Sequence, residues 1–411
     1  MSPHPSLAIL LPISLPVVCG LACSSSGSET DSSDPHIVTV AQSGRADVIG
    51  SDSRALQRAA DMLISGDILE IGPGNWQMDD ALYIRVDNVT VRGKECAEKT
   101  VLAKGPGVES ALVSDAGYGI SDLVVAEPEK FEVGMGVTIM DNRNRNGYSV
   151  SVSSIVGIDG DTLRIDPMTV MDYICSRHKG WVQNTFPILA GMDVSGLTFE
   201  GLTIDGNKDK NKDLNGCRGG GIYLFKAKNC LIKDCVVKNY GGDGISFQIT
   251  ENVKVTGCEV YGSSSLGIHP GTGSFKAEVT NCYSHDNGND GLFLCWRVKH
   301  GRFTDNVLEN NGRHGISIGH KDTDNYFENN KVIGNKIFGV YIRHETYDNS
   351  GHRKRMHIVH KVKRKLSPGA NAQRRSDDHQ QHGFYSCPAI PGMKRPVDSS
   401  IEESDDQRQQ H

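Results

Sequence analysis

The chain has 411 residues, 46 of them glycine, with 37% hydrophobic and only 6% aromatic residues. It is long enough for a large core, yet so rich in turn formers that many short strands are favoured over packed helices. A formal net charge of −6 gives no global basic field, which argues against nucleic acid as the main partner and leaves a neutral or charged sugar polymer open.

The chain begins with an apolar stretch from Leu7 to Val18, broken by Pro12 and Pro16 and followed by Gly20, Leu21, Ala22 and Cys23. Such a run is too short and too interrupted to span a bilayer, and it reads as a signal peptide over 1–22 with a Ser-rich linker over 23–35. Ala22 followed by Cys23 also suits a lipid anchor at Cys23. The expected location is therefore secreted, periplasmic or cell-surface, with no membrane span and a monomeric state.

Residues 36–123 read as an N-terminal cap and the first strands. Leu56, Ala59, Ala60 and Leu63 recur at helical spacing, which predicts an amphipathic helix over Ser53–Leu63. A strand at Ile68–Ile71 and a turn at Gly72, Pro73 and Gly74 follow, then strands at Ala81–Ile84 and Val89–Gly93. Residues 124–190 read as a β-rich insertion, with strands near Val133–Ile139 and Ile158–Ile165 and a tight turn at Asp159 and Gly160.

From 191 to 348 a repeat takes over. A Gly-apolar-x-apolar strand starts at Gly221, Gly244, Gly267, Gly291, Gly315 and Gly339, at spacings of 23, 23, 24, 24 and 24. Cys235, Cys258, Cys282, Asn306 and Asn330 keep the same beat in a second strand. Two ladders in phase, without helical periodicity, predict one solenoid coil per repeat, since a single coil cannot bury its own apolar face. Alternation then sends Ile245, Ile268, Leu292, Ile316 and Val340 inward, and Ser246, His269, Phe293, Ser317 and Tyr341 outward onto an exterior stripe. Asn306 and Asn330 are expected to form an amide ladder, with the three cysteines as small unbridged fillers below them. There is no Cys-x-x-Cys pair, so a thiolate metal site is excluded. Gly201 is aligned with Cys235. The segment Asp205–Gly216 alternates Asp and Asn, but Lys208, Lys210 and Lys212 intervene, so it reads as a solvated loop and not as a calcium loop. After His344 no repeat is visible, and 349–411 reads as a disordered polar tail.

The order of capping helix, Pro-Gly turn, stacked Gly-Ile strands and Asn-rich turns resembles the pectin-lyase-like superfamily over about Ile37 to His344. That resemblance implies an all-β right-handed parallel β-helix and a polysaccharide partner. The segments starting at Asn289, His314 and Gly339 are also similar to three consecutive polygalacturonase segments. On that likeness Asp290 falls on an acidic catalytic position, His314 on the catalytic-region histidine and Arg343 on a substrate-binding cation. Asn289 stands where the family has a second aspartate, and the preceding coil offers His269 in place of an acid.

The stripe itself supplies the remaining candidates. Asp290, His269, Lys321 and His314 are the catalytic candidates for hydrolysis or for proton abstraction next to a uronate carboxylate. Asp243, Trp296, Arg297, His320, Arg343 and Glu345 are the candidates for holding a sugar chain, Trp296 by stacking and the cations by pairing with carboxylates. Asp290 with Asp322 could supply oxygens to a Ca2+ ion. The expected function is cleavage of an acidic polysaccharide by a lyase or hydrolase; the alternatives are a uronate-polymer epimerase and a surface glycan-binding or adhesion protein without catalysis.

Overall fold

The structure, a computed structural model, describes residues 34–351 and 357–359, without 96, 98, 144–146, 344, 345, 347 and 348. The signal-peptide stretch, Cys23, Glu345 and most of the tail lie outside the described residues.

Each repeat folds as three short strands. In one coil these are Ile222–Phe225, Leu231–Lys233 and Val236–Lys238, and the next coil returns at Ile245–Gln248. Equivalent strands pair in parallel and in register, so three sheets of eleven, nine and eight strands run along the stack. We call them sheets I, II and III. Ile222, Ile245 and Ile268 are successive partners in sheet III, and Leu292, Ile316 and Val340 continue that column. The chain is a right-handed parallel β-helix.

The inward residues of all three sheets merge into one continuous core that includes Phe199, Ile232, Phe247, Val255 and Phe303. No partner molecule is required to bury them, because each coil covers the one below it.

Helix α1 (Ser53–Ala60) is three residues shorter than the apolar spacing suggests. Asp52 caps it by accepting the N–H of Ala55. Its buried face, Ala55, Leu56, Ala59 and Ala60, packs on the strands of the first coil and closes that end of the core. An uncovered end would present unpaired strands to other chains.

One corner of the coil is set by backbone chemistry. Between sheets I and II a single residue takes a left-handed conformation in six successive coils: Gly201, Asp234, Gly257, Asn281, Asp305 and Asn329, with φ between 51° and 65°. Glycine, asparagine and aspartate tolerate that region where other residues do not. Gly201 therefore belongs to this corner. Thr203 pairs with Val236, so Leu202, not Gly201, is the residue level with Cys235.

The amide ladder is present and has two counterparts. Asn306 Nδ2 donates to Asn330 Oδ1 at 3.0 Å, and Asn306 Oδ1 accepts the N–H of Cys282. Asn287, Asn311 and Asn335 form a second ladder with 3.0 Å steps at the corner after sheet II, and Asn325 and Asn349 form a third. Cys230, Cys235, Cys258 and Cys282 are buried free thiols.

Asn349 carries the repeat past the point where it fades in sequence. Ser350–Gly351 extend sheet I and His357–Val359 extend sheet II, so the tail reading fails for these residues. Both segments join the preceding coil through parallel, in-register backbone pairing.

The β-rich insertion also starts earlier than the loss of the beat suggests. Its six antiparallel strands run from Glu109–Ala111 to Trp181–Gln183, around a small core of their own with Leu123, Ile139, Leu163 and Tyr173. Ser151–Asp159 and Thr162–Asp166 form the hairpin expected at Gly160.

Replacing Asn311 by Ala should remove about 2 to 4 kcal/mol of stability, because each of its buried partners, Asn287, Ser284 and Asn335, loses one hydrogen bond. Denaturant unfolding measures this, and a loss under about 1 kcal/mol would mean that the amide ladder carries little.

Candidate active site

The candidate residues stand on the outer face of sheet III. Tyr223, Ser246 and His269 are in register on successive coils, and Phe293, Ser317 and Tyr341 follow on the next three. Neighbours in such a column stand roughly 4.8 Å apart. The residue before each strand's glycine forms a second column of Asp243, Leu266, Asp290, His314 and Phe338.

Alternation orients these side chains correctly, but the stripe is not open surface. His269 is only 3% exposed, and Asp243, Ser246, Gln248, Asp290, His314, Ser317 and Asp322 are buried as well. For Asp243, Ser246, Gln248 and His269 the segment read as a solvated loop is the reason. Beyond Lys210 it turns back over the sheet, where Gly216 O accepts from Ser246 Oγ at 2.6 Å and from Gln248 Nε2 at 3.3 Å. Cys217 O accepts from the Tyr223 hydroxyl at 2.8 Å. Arg218 donates to Tyr148 O, and the Tyr148 hydroxyl donates to Gln248 Oε1 at 3.2 Å, so the insertion helps hold the cover. Only glycine fits at 216, since a Cβ there would strike the Asp243 carboxylate and the His269 ring.

Under this cover Asp243 Oδ1 accepts the Leu266 N–H, and Oδ2 lies 2.7 Å from His269 Nδ1. Burial disfavours a charged imidazole here, but the hydrogen bond to Asp243 and the interaction with the Cys295 thiol outweigh it and raise the pKa to about 9. His269 Nε2 is buried and makes no directed hydrogen bond.

Two coils on, His314 has the opposite environment. Its ring stacks on Phe338 and Tyr341, with centroids 5.4 Å and 4.6 Å away. Burial, followed by the positive charges of Arg313 and Arg343, pushes its pKa down to about 4, and Nδ1 has no partner. Asp290 Oδ1 accepts the His314 N–H at 3.0 Å, while Oδ2 is buried and unpartnered. Burial raises the Asp290 pKa against the pull of that N–H and of Arg313, Arg343 and Ser317. The Arg343 guanidinium sits 4.3 Å from the centroid of Phe293 and donates to Leu294 O.

The other candidates are placed elsewhere. Trp296, Arg297, His320 and Lys321 occupy the turn leaving sheet III, all with positive φ. Trp296 is 51% exposed, with its ring 5.3 Å from His320. Arg297 and Lys321 are exposed beside them. Lys321 is therefore not on the buried face with His269 and Asp290. Asp322 accepts the N–H groups of Val298 at 2.9 Å and Gly319 at 2.8 Å, which makes it a clamp for the turn; burial raises its pKa to about 6. Among the described residues no group of three or more acidic, histidine or cysteine side chains could hold a metal ion. Tyr148, Arg218, Arg313 and Cys295 were not singled out by sequence. Cys295 alone carried a signal, since it shares its position in the repeat with Gln248 and Arg343.

The chain matches the family described as right handed beta helix region over residues 190–351. It is similar to the mannuronan C5-epimerase AlgE3 of Azotobacter vinelandii, 29% identical over 144 residues, which is 34% of this chain and 7% of that protein. The mannuronan C5-epimerase AlgE1 of the same organism is 27% identical over 164 residues, 40% of this chain and 10% of that protein. The chain thus matches a small part of these relatives. Among solved structures, pectate lyase Pel9A aligns at 11% identity with a TM-score of 0.43, covering 83% of this chain and 82% of the other. The polygalacturonase likeness is not confirmed by these comparisons.

Asp243→Asn should destabilise the protein by about 3 kcal/mol at pH 6, because a buried imidazolium loses its counter-charge. The raised His269 pKa means that the pair's stabilisation is complete below the unfolded histidine value and is lost as pH rises through about 9. The difference between variant and parent should therefore shrink toward pH 10, as read by denaturant unfolding at both pH values.

Proposed function

We propose that the chain acts on an acidic polysaccharide by moving the proton on the carbon next to a uronate carboxylate, with epimerisation at C5 as the outcome. One observation carries this assignment: two imidazoles on one sheet face have pKa values displaced in opposite directions, His314 to about 4 and His269 to about 9. At neutral pH the first is a free base and the second holds a proton, the division of labour that proton removal and return require. Arg343 and Arg313, whose charges act on His314, are the cations to neutralise the uronate carboxylate and so acidify its neighbouring C–H.

The local similarity to mannuronan C5-epimerases supports epimerisation over cleavage. Elimination by a lyase would start with the same proton removal and differ in the second step. Hydrolysis is less well served. Asp243, the carboxylate that would have to pair with Asp290 on this face, already serves His269. The half-buried side chains of Phe293, Tyr341 and Arg343 mark where a sugar chain would reach the face, and Trp296 offers an exposed ring at its edge. Such a polymer is met outside the cytoplasm, in keeping with an exported chain.

Incubation with polymannuronate in D2O should place deuterium at C5, as read by proton NMR, without new reducing ends. The rate should fall below about pH 4, where His314 gains a proton, and above about pH 9, where His269 loses its own. His314→Gln should slow exchange by about 100-fold or more. Unsaturated ends, seen by ultraviolet absorbance, would reassign the chain as a lyase. Reducing ends without exchange, or binding with no turnover, would overturn the proposal.

A further inference from the structure

A recess of about 660 Å³ is lined by the insertion and by Lys212, with no residue of sheet III. Its size falls within the roughly 300 to 1,000 Å³ of ordinary ligand sites. Glu109–Ala111 and Trp181–Gln183 are antiparallel partners, with Ala111 directly opposite Trp181 and Glu109 opposite Gln183. Alternation turns Ser110 and Val182 inward, where they are buried, and leaves Glu109, Ala111 and Trp181 on the other face. The methyl group of Ala111 is too small to cover an indole, so Trp181 stays half-buried. The indole N–H donates to Gln183 Oε1 at 2.9 Å, which fixes the ring. Charges surround this aromatic floor. Lys130 lies 2.6 Å from Glu127, and Lys212 lies 3.7 Å from Glu109. Both carboxylates are thereby matched, whereas the exposed Lys179 has no acidic partner among the described residues. Lys179 follows the short helix Cys175–His178 in a left-handed conformation, φ 49°, where glycine or asparagine is usual. Three lysines against two glutamates leave the recess one positive charge in excess, in a chain whose formal net charge is −6.

We propose that this recess binds a stretch of acidic polysaccharide and anchors the chain on which the face of sheet III acts. That the polymer is a uronate rests on the preceding proposal; the recess and its charges stand on their own geometry. Trp181 stacks on the apolar face of a sugar ring. The Lys179 ammonium pairs with one uronate carboxylate, and Glu109 and Glu127 accept hydrogen bonds from sugar hydroxyls. A neutral sugar would meet the ring and the carboxylates but leave Lys179 without a counter-charge, so the recess selects an acidic chain. Gln183 Nε2 donates to Asp213 O at 3.3 Å, so the loop that covers His269 is fastened to the strand that carries Trp181. A long chain held in the recess meets the catalytic face at a raised effective concentration, whereas an oligomer too short to span both gains nothing.

Lysine footprinting of the full-length protein tests the recess without any turnover. The protein is acetylated with sulfo-N-hydroxysuccinimide acetate, with and without hexamannuronate, and peptide mass mapping follows each lysine. Hexamannuronate in excess should protect Lys179 at least about threefold. Lys254, exposed on sheet I, should label at the same rate in both samples. Neutral mannohexaose should protect neither lysine, and Trp181→Ala should abolish the protection of Lys179. In the exchange assay, Trp181→Ala and Lys179→Ala should each raise KM for polymannuronate by about tenfold at unchanged kcat, and leave KM for trimannuronate as it was. His314→Gln should lose exchange yet keep the protection, so the catalytic reading and this one fail separately. Should the tryptophan variant fail to fold, the contrast between acidic and neutral oligomers in the parent protein decides the matter. Equal labelling of Lys179 with and without hexamannuronate, or equal protection by mannohexaose, would overturn the inference, whatever the outcome of the exchange experiment.

Discussion

The structure rests on parallel, in-register pairing of each strand with its equivalent one coil away. The pairing satisfies backbone groups on both sides of every inner coil and forces like positions into columns. Everything else about the molecule is organised by those columns. Apolar columns make the core, asparagine columns tie the corners, and glycine, asparagine or aspartate occupies the left-handed corner in six successive coils. The same pairing adds strands at Ser350–Gly351 and His357–Val359 to the last regular coil. A backbone ladder needs only a free edge, and the last regular coil offers one.

Stacking also determines what a functional site can be in such a protein. Residues far apart in sequence come within reach when they share a column or a diagonal, so one sheet face can hold groups in very different electrostatic surroundings. On sheet III one end of the face places His269 against a carboxylate, and two coils away His314 lies between aromatic rings and near two guanidiniums. The first setting favours the charged imidazole and the second the neutral one. Each acidic side chain on this stretch also supports the backbone. Asp243, Asp290 and Asp322 all accept a main-chain N–H from a neighbouring coil, so their carboxylates belong to the scaffold before they belong to any chemistry.

The loop from Asp205 to Gly219 shows where sequence patterning misleads. Its lysines and aspartates have the composition of a solvated segment, and its first half, with Asp209 and Lys210, is exposed. Its second half returns over the sheet and buries the part of the stripe around Asp243, Ser246 and His269 that alternation had placed outside. The small residue Gly216 makes close approach possible, while Cys217 O and Arg218 supply the bonds that hold it. Nothing periodic announces such a contact, because it is made once and not in every coil. The same holds for Tyr148, which reaches the face from the insertion.

The sequence by itself determined the architecture: a beat of 23 or 24 residues in two phased ladders can be satisfied only by stacking, and stacking decides which side chains face in and which face out. It also identified Asp243, His269, Asp290, His314 and Arg343 as members of one face. Only the tertiary structure decided that part of this face is covered, that Lys321 and Asp322 belong to the turn, and that the two histidines lie in opposite electrostatic surroundings. These are consequences of single, non-repeating contacts and of local burial. A repeat pattern records what every coil has in common, and a site is made from what one or two coils do differently.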